Sequence, residues 1–159
     1  LPLSGGSLGL AWSNLMLHWL DDPLPAFGEL HRVLETGGLL MFSALGPDTL
    51  KELRAAGATT LRRFHDMHDL GDMLLAAGFA DPVMDMERIE LAYASPRGLL
   101  RDQRLLGVRD GLFGPMGFRE GRRVFRAWQR RDGRLPATFE VVYGRTESFG
   151  GRPRDHAFS

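Results

Sequence analysis

The sequence predicts an α/β protein: a largely parallel sheet with flanking helices and one antiparallel edge. Two observations carry this. A short apolar strand, an amphipathic helix and a continuously apolar strand succeed one another between residues 7 and 43, the spacing of a parallel crossover. Toward the C-terminus, two further strands alternate with helices without such a short crossover between them.

Each element has a local reason. Ser7–Ser13 alternates small and apolar residues and ends at the polar pair Ser13-Asn14, as a short buried strand would. Asp21-Asp22-Pro23 starts a helix, Asp supplying cap oxygens and Pro suiting the first turn. Leu24, Phe27, Leu30 and Leu34 form its apolar face, and Gly37-Gly38 is expected to end it. Leu39–Ser43 is the second strand, covered on both faces. A helix is expected over about Thr49–Ala56. Another opens at Asp69 or Asp72 and ends at Gly78. Val83–Tyr93 alternates without a clean apolar face, as an outer strand does. Helices over Ser95–Gly107 and Phe118–Gly133 follow, then a last strand over Ala137–Tyr143. The Gly/Arg/Pro-rich tail from Gly150 to Ser159 reads as flexible.

With 159 residues the chain suits one domain, read as 1–149 plus the tail. No apolar run approaches the ~20 residues that span a bilayer, and no signal segment opens the chain, which starts at Leu1-Pro2 as an internal cut would. There is no cysteine, which excludes disulfides, thiolate metal sites and a cysteine nucleophile. A cytoplasmic location is the expectation. The zero net charge hides an asymmetry. Residues 1–90 carry 6 Lys/Arg against 13 Asp/Glu, and residues 91–159 carry 14 against 7, which points the C-terminal half toward an acidic partner.

Several segments resemble one family in order: Trp12–Trp19, Arg32–Ser43, Leu45–Arg54, Phe64–Asp72, Ala77-Gly78-Phe79 and Arg130–Thr138. The family is the malonyl-acyl-carrier-protein O-methyltransferases of biotin synthesis, within the class I S-adenosylmethionine-dependent methyltransferases. The resemblance implies a partial Rossmann-like sheet, the last four strands of seven, in spatial order fourth, fifth, seventh, sixth. It implies S-adenosylmethionine as cofactor and the free carboxylate of a malonyl thioester, on acyl-carrier protein or CoA, as methyl acceptor. The family's glycine-rich cofactor loop and ribose-holding acid do not occur in this sequence. Gly5-Gly6-Ser7-Leu8-Gly9 precedes a strand, the wrong context for such a loop. The chain is therefore expected to be an incomplete domain, inactive when isolated. A different small-molecule methyltransferase, or a truncated non-catalytic module self-associating through the open Ser7–Ser13 strand, are the alternatives.

A carboxylate is already a nucleophile at neutral pH, so orientation and desolvation are the chemistry expected, without a general base. By the resemblance, Ser13, Asn14 and Leu15, at the carboxyl end of a strand beside a topological switch point, line the methyl end of the cofactor; a simple turn or cap is the competing reading. A looser likeness to plant carboxyl methyltransferases implies that Trp19 donates its indole N–H to the substrate carboxylate, with His18 lining the same pocket as a neutral hydrogen-bonding group. Against this, Trp19 reads equally as a core aromatic and His18 as a surface residue. His65-Asp66-Met67-His68-Asp69 looks like a metal cluster, yet sulfonium-to-carboxylate transfer requires no metal. The segment reads instead as a helix start near the pocket mouth, with His65 a candidate substrate contact. Arg119, Arg123, Arg126, Arg130 and Arg134 form a stripe on one helix face. Arg123, Arg126 and Arg130 are candidate docking residues for an acidic carrier protein, against the alternatives of a solvated face or a nucleic-acid surface. The last lacks aromatic interleaving, and neither nucleic acid nor membrane is expected as a partner.

Overall fold

A computed structural model describes residues 1–105 and 111–149, so the tail expected after Gly150 lies outside the described residues. Four strands form one sheet: β1 Leu8–Asn14, β2 Leu34–Leu45, β3 Phe79–Tyr93 and β4 Leu135–Ser148. Their spatial order is β1-β2-β4-β3, the order implied by the resemblance. β1 and β2 are parallel, with Trp12 beside Met41 and Asn14 beside Ser43. β2 and β4 are antiparallel. The helices are α1 Leu24–Val33, α2 Lys51–Ala55, α3 Met67–Ala76, α4 Pro96–Leu105 and α5 Phe118–Ala127. None is long and apolar enough to cross a membrane among the described residues.

The chain divides into two compact units. The first comprises residues 1–45, 65–87 and 141–159. Its core is Phe27, Leu34, Leu40, Phe42, Ala44, Leu70, Leu74, Phe79 and Val142, where α1 and α3 cover one face of the sheet. Phe27 stacks at a tilt on Phe42, ring centroids 5.5 Å apart. The opposite face of β1 and β2 presents Leu10, Trp12 and Met41 to solvent, Trp12 at 75% exposure. The second unit comprises residues 46–64 and 88–140 and buries Leu50, Leu53, Leu99, Leu112, Val124 and Trp128.

Three boundaries depart from the expectations, each for a physical reason. Gly37-Gly38 does not end α1, which stops at Val33; the pair lies inside β2. There the register jumps from Leu8↔Leu34 to Leu10↔Leu39, a bulge. Gly37 has φ +80°, and a Cβ on Gly38 would meet the Glu35 and Leu8 carbonyl oxygens at 2.8 and 3.0 Å. The glycines thus let β2 pass close to β1 rather than cap a helix.

α3 opens at Asp66 rather than at Asp69 or Asp72. The Asp66 side chain accepts from the His68 and Asp69 amides, and Asp69 returns the bond to the Asp66 amide, completing a capping box. α5 ends at Ala127, six residues short of the expected end. Trp128 leaves the helix to bury its ring and donate its indole N–H to the Pro136 carbonyl at 2.9 Å. Asp132-Gly133, both at positive φ, then turn the chain between the bridged residues Arg131 and Arg134. Arg130 and Arg134 accordingly do not extend a helical stripe. In β3, finally, Met84 and Met86 pack on the core while Val83 on the other side is exposed.

Candidate functional site

The carboxyl end of β1 is the best-organised polar cluster of the first unit. Ser13 and Asn14, consecutive on a strand, project to opposite faces. Ser13 is buried and its Oγ has no hydrogen-bond partner among the described residues. Asn14 is exposed, and its Oδ1 accepts from the Ser43 hydroxyl at 2.6 Å. Leu15 follows with φ +49°, the left-handed region that a leucine adopts only under constraint. The constraint is visible: its amide donates to both the carbonyl oxygen and the Oγ of Ser43, each at 3.0 Å. Ser43 thus ties the ends of β1 and β2 together and fixes the backbone just where β1 leaves the sheet. The sequence reading missed Ser43. Its only local signal is a hydroxyl closing the apolar run Leu39–Phe42.

A single 3-10 turn, Leu17–Trp19, carries the next candidates. His18 is 8% exposed, a buried residue rather than the surface one of the alternative reading. Its Nδ1 accepts from the Leu45 amide at 3.3 Å, so a neutral ring carries its proton on Nε2 and is a donor there. Trp19 is half-buried, its ring 4.7 Å from that of His18 and tilted by 47°. Ser13, Asn14, Leu15, His18 and Trp19 are therefore gathered at the end of one strand, with Ser43 and Leu45 of β2 holding Leu15 and His18. His65 is half-buried, in the same unit, one residue before the cap of α3. Among the described residues no group of three His, Asp or Glu side chains is arranged to hold a metal.

In the second unit, two of the segments that carried the resemblance meet. Leu50 donates its amide to the Thr138 carbonyl, and Glu52 accepts from both the amide and the hydroxyl of Thr138. The Gly46 amide donates to the Glu140 carbonyl. Arg88 bridges Asp48 and the buried carboxylate of Glu140, at 3.0 and 3.1 Å. Arg54 donates to the carbonyls of Pro47, Thr49 and Arg62, and burial pulls its guanidinium below the usual arginine value. These contacts assign Glu52, Arg54, Arg88 and Glu140 to holding the unit together.

The candidate docking arginines separate into two kinds. Arg123 donates to the Gly57 carbonyl at 3.2 Å, and Arg130 donates to Gly133 and Ala94 carbonyls at 2.6 and 3.3 Å. Arg126 is exposed on α5 and pairs with no described residue.

A sequence profile of a methyltransferase domain matches residues 1–42. The chain is 50% identical over 165 aligned residues to a malonyl-[acyl-carrier protein] O-methyltransferase of Laribacter hongkongensis, covering 97% of this chain and 56% of that protein. It is 52% identical over 155 residues to the protein of the same name from Gallionella capsiferriformans, covering 91% and 53%. The chain thus spans about half the length of these relatives, to which it is homologous along nearly all of its own. Its fold is shared by the YcgJ protein of Bacillus subtilis, with a TM-score of 0.65 at 11% identity, covering 95% of this chain and 68% of that one.

Proposed function

We propose that this chain belongs to the malonyl-acyl-carrier-protein O-methyltransferases and forms part of an enzyme that methylates the free carboxylate of a malonyl thioester in biotin synthesis. The observation that carries this reading is the roughly one-in-two identity to proteins of that name along nearly the whole chain.

The cofactor is S-adenosylmethionine. When bound, it would supply a methyl group on a sulfonium, whose carbon a carboxylate oxygen would take as S-adenosylhomocysteine leaves, with no proton transferred. The residues at the end of β1 suit such a group. The buried Ser13 Oγ is without a partner among the described residues, and Asn14, its Oδ1 occupied by Ser43, has its amide nitrogen to offer. The first unit carries 4 Lys/Arg against 12 Asp/Glu, a field that favours a cation. In this reading Ser13, Asn14 and Leu15 line the methyl end of the cofactor, and the Leu15 backbone is held in its strained form to shape that end. Trp19 donates its indole N–H to the substrate carboxylate. His18, with Nδ1 engaged by Leu45, lines the same pocket as a neutral hydrogen-bonding group that does not protonate the carboxylate. His65 contacts the thioester arm, and Arg126 receives the carrier protein, while Arg123 and Arg130 are held by carbonyls of their own unit.

The test is transfer of labelled methyl to malonyl-acyl-carrier protein by the full-length protein that contains this sequence. Trp19→Phe should abolish transfer and leave S-adenosylhomocysteine binding intact; full activity would reject the carboxylate grip. Methylation of other small acids but not of malonyl thioesters would favour a different methyltransferase. A second reading has its own observation. β1 pairs only with β2 among the described residues, and Leu10, Trp12 and Met41 beside that edge are exposed. Self-association through the 7–13 strand is the process such an edge supports. A monomer in sedimentation at high protein concentration would reject it.

A further inference from the structure

Resting on the function proposed above, we infer that the outward face of α5, centred on Phe118, Arg122 and Arg126, is the surface that seats an acidic helix of the carrier protein, with one apolar side chain of that helix against Phe118. Phe118 is 85% exposed, at the first turn of a helix that buries Gly121, Val124 and the following Trp128 on its other side. Phe118, Arg122 and Arg126 are spaced by four and share one helical face. They wall two adjoining hollows. One, of about 800 Å³, is floored by Leu100, Phe113, Met116 and Phe125. The other, of about 630 Å³, is bordered also by Arg119 and Arg123.

The arginines of the C-terminal half are of two kinds. Arg123, Arg130, Arg131 and Arg134 are spent on carbonyls or on Glu90 of their own unit. Arg119, Arg122 and Arg126 form no hydrogen bond or ion pair with any described residue. An aromatic anchor ringed by charge is how interfaces divide affinity and steering, and Phe118 with Arg119, Arg122 and Arg126 has that arrangement. The second unit as a whole carries 16 Lys/Arg against 8 Asp/Glu, so its field attracts an acidic partner. Charge complementarity and the apolar anchor together select an acidic amphipathic helix over a bare phosphate, which would leave Phe118 without a role.

The test uses the full-length enzyme and two methyl acceptors, malonyl-acyl-carrier protein and malonyl-pantetheine, which shares the reacting end and lacks the protein. Arg122→Glu with Arg126→Glu should lower kcat/KM for the carrier-protein substrate about tenfold and leave the pantetheine substrate within about twofold. The loss should shrink as salt is raised. Phe118→Ser should lower the same constant with little salt dependence. Arg130→Glu, at a residue committed to its own turn, should change the carrier-protein constant less than the Arg122 and Arg126 pair. Equal losses on both acceptors, or none on either, would overturn the inference. If the unsubstituted enzyme methylates neither acceptor, the functional reading fails. Docking is then decided by fluorescence anisotropy of labelled holo-acyl-carrier protein: binding weakened by the Arg122/Arg126 reversals supports it, and no binding, or binding unchanged by them, rejects it.

Discussion

Replacing Ser43 by alanine isolates the contact that joins the two strand ends at the candidate site. The side chain is buried, donates to Asn14 Oδ1 at 2.6 Å and accepts from the Leu15 amide at 3.0 Å. Two features bound the effect. The Leu15 amide keeps its second partner, the Ser43 carbonyl oxygen, so no buried donor is orphaned. Asn14 is exposed, so its freed oxygen turns to water. What remains is the net value of one side-chain hydrogen bond and part of one shared bond, about 1 kcal/mol. For a protein of this size that lowers Tm by about 2–4 °C. If Asn14 contacts the cofactor, loosening it should also weaken S-adenosylhomocysteine binding by full-length enzyme about fivefold, the same free energy read as affinity. Ser43→Thr keeps the hydroxyl and should retain affinity. Scanning calorimetry and isothermal titration measure the two quantities. An unchanged Tm and affinity in Ser43→Ala would refute the network; a changed Tm with unchanged affinity would remove Asn14 from the site and leave Ser43 a structural tie.

Three other outcomes follow from the same structure. A Cβ on Gly144 would stand within van der Waals radius of the Phe42 ring, which Phe27 holds from the other side, so Gly144→Ala should destabilise by about 1–3 kcal/mol in urea unfolding; a loss under about 0.5 kcal/mol would contradict this packing. Leu15→Gly should release left-handed strain, offset by added freedom of the unfolded chain, leaving Tm within about 3 °C while raising exchange of the local amides; a large Tm loss would mean that the leucine side chain, not the backbone, is what matters. Burial and a hydrogen bond to Asp102 push the Tyr93 phenol up to about 12. Its folded value exceeds its ordinary one, so the stabilisation is complete below about pH 10 and is lost as pH rises toward 12. Ultraviolet titration of Tyr93→Phe against the parent should lose that late-ionising phenol, and loss instead of a phenol ionising near 10 would reject the environment described.

The sequence determined what local chemistry controls. The crossover at residues 7–43, the cap oxygens of Asp22 and the apolar positions Phe27 and Leu40 are set by spacing, and the strand order followed from the resemblance of ordered segments. Tertiary structure decided wherever a distant partner outbid a local preference. Gly37-Gly38 has the composition of a helix stop, but the nearness of Leu8 makes it a bulge. The arginine spacing suits one continuous helix, but burial of Trp128 against Pro136 ends α5 and diverts Arg130 into a turn. Charge was legible as an imbalance between the two halves of the sequence. Because strands β3 and β4 each contribute to both units, the chain sorts it further, into units of −8 and +8. Ser13, Asn14, Leu15, His18 and Trp19 were found in the sequence because they are neighbours in it. Ser43 and the amide of Leu45 were not, since a hydrogen bond across a parallel sheet joins residues 27 to 29 positions apart, a separation that leaves no periodic trace.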